Sequence, residues 1–202
     1  FNTKIRLIKE RNYLPQISFG LNDFAGTGFF SGEYVVASKT FSNLEASIGI
    51  GWGNYLANDP SIDNPIGKLF GIDYYDDRKG YVIGRGGQIA FKTWFTGEAS
   101  IFGGLEYTFP KLYGAKFTLE YDPIDYTITK GANRARLYAP GQSRYKTRKK
   151  ENNFNFGFKL PITESIELAL TQQRNNGLAF HWTVRPNFSK GFFKKPLIKS
   201  RK

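Results

Sequence analysis

The sequence predicts an all-β fold: an antiparallel up-and-down meander of about ten strands that forms an outer-membrane-type β-barrel. Apolar and polar residues alternate with a period of two in many short segments, which places successive side chains on opposite faces of a sheet. Short connections rich in Gly, Asn and Pro separate most of these segments and supply the backbone angles of hairpin turns. One face is apolar and rich in aromatics and the other is small and polar, which favours a membrane barrel over a soluble sheet.

The alternation locates the strands in chain order. The fourth strand shows it most clearly, since Leu44, Ile48 and Trp52 share one face while Glu45 and Gly49 share the other. The same pattern recurs over 17–21, 113–121, 154–160, 166–170 and 178–184. With the segments between them, the ten predicted strands cover 3–10, 15–24, 29–40, 43–53, 87–95, 98–109, 112–122, 152–160, 164–173 and 177–187.

Two of the predicted connections are long, at 54–86 and 123–151, and long connections without regular structure are usually functional or mobile. A barrel of this class keeps its short turns on the periplasmic side. Ten strands, however, put the turns at 40–43 and 161–164 at opposite ends of the sheet, and they separate the two long connections in the same way. Either 54–86 contains a further strand, with Tyr81–Gly84 as the candidate, or one turn is misassigned.

The net charge of +12, from 29 Lys+Arg against 17 Asp+Glu, is concentrated in two segments. Residues 126–150 hold eight basic residues and no acidic ones, and residues 189–202 hold six and none. The remaining chain, with 15 basic and 17 acidic residues, is nearly neutral. We therefore expect a near-neutral barrel domain over 1–188 and a basic tail or linker over 189–202.

The basic segment 126–150 is the predicted polyanion-binding site, because basic clusters attract lipid phosphates and acidic glycans. A solvated loop is the alternative interpretation. Nucleic acid is not an expected partner, since no recognition helix or RNA-binding motif accompanies the charge. The candidate binding residues are Arg134, Arg136, Arg144, Lys146, Arg148, Lys149 and Lys150.

No catalytic, cofactor or metal site is predicted. The chain has no Cys and a single His, His181, which argues against thiolate catalysis, a His-based metal site and a Ser-His-Asp triad. The glycines over 49–53 lack the third Gly and the following helix of a dinucleotide fingerprint. The strand carboxylates are interpreted as a charge network inside the barrel: Glu33, Glu45, Glu106, Glu120 and Glu167 with Lys39, Lys92, Lys116, Lys159 and Arg185.

Several segments resemble the YjbH family, which includes GfcD-type proteins. The resemblance rests first on Leu14–Gly28 and Phe30–Lys39, then on Gly49–Gly53, and continues through Phe102–Tyr107 and Leu119–Tyr126 to Gly177–Phe188. It covers roughly residues 3–188 in the family's order. The resemblance implies an outer-membrane β-barrel lipoprotein of Gram-negative bacteria that serves exopolysaccharide or capsule biosynthesis and export. It offers no catalytic residues.

Family members are longer and have a lipidated N-terminus and further strands, so the resemblance implies that this chain is a piece of a longer barrel protein. The chain begins at Phe1 and contains no Met, which predicts a processed chain or a fragment. The expected localisation is the bacterial outer membrane. The expected partners are outer-membrane lipid and lipopolysaccharide, acidic exopolysaccharide, and proteins of the export machinery.

The sequence thus predicts a non-enzymatic outer-membrane barrel involved in exopolysaccharide or capsule biosynthesis or export. The alternative is a soluble β-sandwich that acts as a carbohydrate-binding module, in which Ile48, Ile50, Phe156 and Phe158 would pack together in a closed core. A glycoside hydrolase would require two converging carboxylates, for which Glu106 and Glu120 are the candidates.

Overall fold

A computed structural model of the chain describes residues 1–25, 31–53, 61–75, 78, 89, 91–124, 152–174 and 177–185. These residues form one antiparallel sheet in which each strand pairs with the next along the chain. The meander predicted from the alternation is therefore confirmed. Its nine strands are β1 (Thr3–Ile8), β2 (Gln16–Asn22), β3 (Gly32–Phe41), β4 (Leu44–Gly53), β5 (Ala99–Phe109), β6 (Ala115–Tyr121), β7 (Phe154–Pro161), β8 (Ile166–Gln173) and β9 (Gly177–Val184).

The predicted strand at 87–95 is wrong over the residues that the structure describes there. Residues Phe91–Thr93 form a 3₁₀ turn, and the ring centroids of Phe91 and Trp94 are 4.9 Å apart. Phe95 has a positive φ of 59°. Rings three residues apart meet in a 3₁₀ turn, because side chains at i and i+3 lie on the same side. The fifth of the ten predicted strands is therefore absent from the sheet that the described residues form.

Nine strands resolve the conflict between the turns and the long connections. Because β4 pairs directly with β5 and β6 with β7, all antiparallel, both long connections leave from one end of the sheet, here called the loop end. The connections at 23–31 and 174–176 lie at the same end. The opposite end, here called the turn end, carries the connections at 9–15, 42–43, 110–114 and 162–165.

Closure into a barrel is not confirmed. Among the described residues β1 and β9 are the two edges of the sheet, and no pairing joins them. In an antiparallel sheet the first and ninth strands run in the same direction, so β1 and β9 could not form an antiparallel pair with each other.

The two faces of the sheet differ in the way that the alternation predicts. The apolar face carries Ile48, Ile101, Leu105, Phe117 and Phe158, whereas the polar face carries the residues that alternate with them. From β5 to β9 the apolar face is the more exposed one, which is the reverse of a soluble sheet. Ile48 is 62% exposed and Phe156 is 40% exposed, so the closed core expected for a soluble sandwich is not formed by the described residues.

A short helix, α1 (Pro65–Phe70), lies in the connection between β4 and β5, together with 3₁₀ turns at Asp73–Tyr75 and Phe91–Thr93. Buried Asn64 caps α1, because its side-chain oxygen accepts from the amides of Ile66 and Gly67. Its amide nitrogen donates to the carbonyls of Tyr75, Phe95 and Gly97, which ties the parts of this connection together. Within the part of the chain that the structure describes, no helix has the length and hydropathy needed to cross a membrane.

At the turn end, Glu10 fastens the connection at 9–15 to β3. Its carboxylate accepts a hydrogen bond from the Lys39 ammonium at 2.8 Å and another from the Thr40 amide at 2.9 Å. These hydrogen bonds, that from Lys39 first, hold the pKa of Glu10 below its ordinary value of 4.5. A carboxyl group whose folded pKa is lowered stabilises the fold above its unfolded pKa and loses that contribution as the pH falls through the folded value.

Glu10→Gln is therefore expected to reduce the free energy of unfolding near neutral pH and to have little effect in acid. Urea unfolding, followed by tryptophan fluorescence, should show a difference between wild type and variant at about pH 7 that shrinks below pH 4.5. Glu164→Gln, which changes an exposed carboxylate at the same end, is the control. A difference for Glu10→Gln that stays constant through the acid range would contradict the assignment.

Candidate functional site

The polar face of β4–β7 is the candidate functional site, because it brings charged, hydroxyl and aromatic side chains into one concave area. The sequence places them there through the period of two, which puts Glu45 and Ser47 of β4 beside Glu106 and Gly104 of β5. A pocket of about 420 Å³ lies over this area. Its lining residues are Glu45, Ser47, Phe102, Gly103, Gly104, Leu105, Glu106, Thr118, Glu120, Tyr121, Asp122, Pro123 and Lys159.

Glu106 is the centre of an ion-pair network on this face. Its carboxylate lies 2.5 Å from the Lys116 ammonium and 3.8 Å from that of Lys159. Lys116 and Lys159 are opposite each other across β6 and β7, so the carboxylate offsets the repulsion between two like charges. Glu45 faces Glu106 directly across β4 and β5.

The charge network predicted from the sequence is confirmed in part. Glu106 pairs with two of the predicted cations, and Glu167 lies 3.8 Å from Arg185. The prediction is wrong for Lys39, which pairs with Glu10, and for Glu33, which lies on the apolar face and pairs with Arg78. The two hydrolase candidates, Glu106 and Glu120, do share the polar face, but Glu106 is engaged by its two lysines.

Glycines make room for the aromatic wall of the pocket. The Phe102 ring reaches from β5 across β4, and a Cβ added at Gly49 would lie 2.3 Å from the end of that ring. The same ring meets Tyr34 of β3 edge-on, with centroids 5.9 Å apart. Gly49 is therefore a close-packed position on the polar face, where a larger residue would displace the Phe102 ring.

His181 lies on the polar face, as its place in the alternation predicts, and its Nε2 is 3.4 Å from the Thr171 hydroxyl. The described residues contain no group of three or more side chains suited to hold a metal ion. Of the aspartates in the first long connection, Asp63 pairs with Lys68, whereas Asp59, Asp76 and Asp77 lie outside the described residues.

A second charged cluster lies on the other face, at the loop end. Glu33, only 2% exposed, is in register with apolar Leu21 and Trp52. Arg78 binds its carboxylate with two nitrogens, at 2.7 and 3.1 Å, and the Phe95 amide donates to it at 2.9 Å. This pair fastens the connection between β4 and β5 onto the sheet.

Two glycines surround the Arg78 side chain and leave no room for a Cβ. Gly53 has a φ of 101° and Gly97 a φ of 83°, and an added Cβ would lie 2.9 Å from Arg78 Nη2 and 2.7 Å from Arg78 Cβ, respectively. The sequence analysis missed Arg78, which is 45 residues from Glu33 along the chain. The sequence signalled a partner for Glu33 in one way, because Glu33 is a carboxylate at an apolar position of the alternation.

All seven predicted polyanion-binding residues, Arg134, Arg136, Arg144, Lys146, Arg148, Lys149 and Lys150, lie outside the described residues, as does the tail 189–202. The end of β6 and the start of β7, which the connection with the basic segment joins, are hydrogen-bonded to each other. The Asp122 amide donates to the Asn153 carbonyl at 2.8 Å, and the Asp122 carboxylate lies 2.7 Å from buried Arg174 of the following connection. Asp122 also lines the pocket.

Comparison with known proteins gives one family and one curated relative. A family model, YjbH, described as "Exopolysaccharide biosynthesis protein YbjH", matches residues 1–201. The chain is 33% identical over 189 residues to "Uncharacterized lipoprotein YjbH" of Escherichia coli (strain K12), which corresponds to 94% of this chain and 24% of the relative. The chain thus spans about a quarter of the length of the curated relative that it matches. No solved structure matches the chain.

Proposed function

The chain belongs to the YjbH family of exopolysaccharide biosynthesis proteins, and from this premise we propose that its sheet is part of the wall of a non-enzymatic outer-membrane β-barrel. In this proposal the apolar face contacts lipid, and the polar face lines the interior and contacts an exopolysaccharide or capsular polymer during assembly or export. The lipoprotein name of the Escherichia coli relative supports a membrane location.

The observation that carries the proposal is the exposure of the apolar face. Side chains such as Ile48, Leu178, Phe180 and Trp182 are 62–73% exposed, although they are large and apolar. A soluble protein seldom leaves a contiguous apolar surface of this kind uncovered. In a membrane barrel, by contrast, an outward apolar band with a polar interior is the expected arrangement.

The distribution of the connections also supports the proposal and gives an orientation. Outer-membrane barrels have short turns on the periplasmic side and longer loops outside the cell. Both long connections, and with them the basic segment 126–150, leave from the loop end. We therefore propose that the turn end faces the periplasm and the loop end faces the cell exterior.

The strand count adds a geometric condition. Since β1 and β9 run in the same direction, a closed antiparallel barrel that contains this sheet needs an odd number of strands in addition to these nine. The total would then be even, as it is in bacterial single-chain barrels. Two copies of the sheet in one membrane orientation would not satisfy this condition, because β9 of one copy would meet β1 of the other in parallel.

The proposed partners of the basic segment are lipopolysaccharide phosphates and acidic exopolysaccharide, with proteins of the export machinery as further partners of the barrel. We expect substitution by Gln at Arg144, Arg148, Lys149 and Lys150 to weaken binding of a purified acidic polysaccharide several-fold at low salt. The effect should be much smaller at high salt, because salt screens exposed charges. Surface plasmon resonance at two salt concentrations measures this change in affinity. Equal binding by wild type and variant would leave the segment without this role.

The membrane location is tested by fractionating cells that express the full-length protein. We expect it in the outer-membrane fraction, with a gel mobility that changes on heating because a folded barrel resists detergent at room temperature. Recovery of a correctly folded protein from the soluble fraction would overturn the proposal.

A further inference from the structure

The pocket on the polar face suits a ligand of a particular charge. Its volume of about 420 Å³ is within the usual range of small-ligand sites, and its lining combines polar groups with an aromatic ring. We infer that this pocket binds a sugar unit that carries no negative charge, with a preference for one that bears an amino group. The inference rests on the proposed contact between the polar face and a polysaccharide, and it specifies which part of the polymer is recognised.

Two carboxylates that have no partner among the described residues provide the polar recognition. Glu45 and Glu120 are exposed, line the pocket and make no hydrogen bond or ion pair with another described residue. An ionised carboxylate only accepts hydrogen bonds, so its natural partners are the hydroxyl and ammonium groups of a saccharide. Glu106 lies between these two along the face but is already engaged by Lys116 and Lys159.

Phe102 provides the apolar wall. Its ring lines the pocket and is held from below by Gly49 and from the side by Tyr34. The C–H groups of a sugar are attracted to the negative face of an aromatic ring, while the sugar hydroxyls need acceptors at its edge. An aromatic side chain on β5, with free carboxylates on the adjacent strands β4 and β6, meets both requirements.

The charges of the pocket exclude anionic sugars. Four carboxylates line it, and the cations near them are already committed, Lys116 and Lys159 to Glu106 and Arg174 to Asp122. A uronate or a phosphate placed here would face Glu45 and Glu120, which no described cation neutralises, and like charges that meet at a binding site oppose binding. The pocket and the basic segment 126–150 would thus select opposite charges on the polymer.

The test uses the full-length protein in detergent micelles and three tetrasaccharide probes: a glucosamine oligomer, its N-acetylated and therefore uncharged form, and a galacturonate oligomer. Isothermal titration calorimetry should rank the glucosamine probe above the uncharged probe. Glu45→Gln with Glu120→Gln should weaken binding of the glucosamine probe by about tenfold or more, because the sugar ammonium loses its two negatively charged acceptors. Any galacturonate binding should be unaffected or strengthened by the same double change.

Glu167→Gln is the matched control, since Glu167 lies on the same face in β8 but does not line the pocket. Phe102→Leu should weaken the binding of both the glucosamine probe and the uncharged probe, since both contact the aromatic ring in this proposal. The inference is overturned if neither probe binds, if the double change leaves their affinities unchanged, or if the double change weakens galacturonate binding. These outcomes are independent of lipid contact at the apolar face, so the pocket can fail while the barrel proposal holds.

Discussion

Arg78→Met is expected to lower the free energy of unfolding by about 3–5 kcal/mol, because it leaves a buried carboxylate without its partner. Glu33 is 2% exposed and lies among apolar neighbours, and the Arg78 side chain is 12% exposed. Two parallel hydrogen bonds join them, which makes the pair stronger and more geometrically specific than a single contact. Chemical unfolding of the full-length protein, followed by the fluorescence of the nearby Trp52, measures the change.

The matched control is Lys68→Met in the same connection. Lys68 pairs with Asp63, but both side chains are about two-thirds or more exposed, at 68% and 71%. Exposed ion pairs contribute only about 0–1 kcal/mol. Arg78→Lys is also informative, because an ammonium keeps the charge but not the planar two-nitrogen contact. Equal losses for Arg78→Met and Lys68→Met would contradict the assigned role of the buried pair.

Ile48→Arg is expected to cost about 2–4 kcal/mol in lipid vesicles, which is the penalty for Arg near the middle of the lipid-facing surface of a barrel. Ile48 lies in the middle of β4, opposite Ala37 and Gly103, and is 62% exposed. If water covered this face, the same substitution would change stability by no more than about 0.5 kcal/mol. The size of the penalty therefore reports the medium that surrounds the apolar face.

The control for Ile48→Arg is Ser47→Arg, one residue earlier on the opposite face. Ser47 lines the polar pocket beside the Glu45 and Glu106 carboxylates, where a guanidinium finds partners. The hydrogen bond between Ser47 and Ser38 is lost, so we expect a cost of about 1 kcal/mol. A cost for Ser47→Arg equal to or above that for Ile48→Arg would contradict the assignment of the two faces.

Much of the sheet could be predicted because alternation is a local property of the sequence. The strand from Leu44 to Gly53 matches its pattern residue by residue, and a register slip by one residue would exchange the two faces. The prediction of a strand over 87–95 was wrong because a short apolar run fits a strand and a 3₁₀ turn equally well. That single error created the conflict between the turns and the long connections.

The site was less predictable because its contacts are not local. The pairing of Glu106 with Lys116 could be anticipated, since both occupy polar positions of neighbouring strands. The pairing of Glu33 with Arg78 could not, because Arg78 lies in a connection that has no periodic pattern. The pocket requires Phe102 to occupy a polar-face position over Gly49, which the apolar character of Phe102 conceals.

Spin labels placed one at a time along residues 154–160 of β7 test the lipid contact of the apolar face most directly. This chain contains no cysteine, so each new cysteine is a unique attachment point within it. In vesicles we expect contact with oxygen, which concentrates in lipid, to peak at 154, 156, 158 and 160, and contact with a water-soluble nickel complex to peak at 155, 157 and 159. Low contact with both reagents at the even positions would indicate a buried protein core. High contact with the nickel complex at these positions would indicate water. Either result would contradict a lipid-facing sheet.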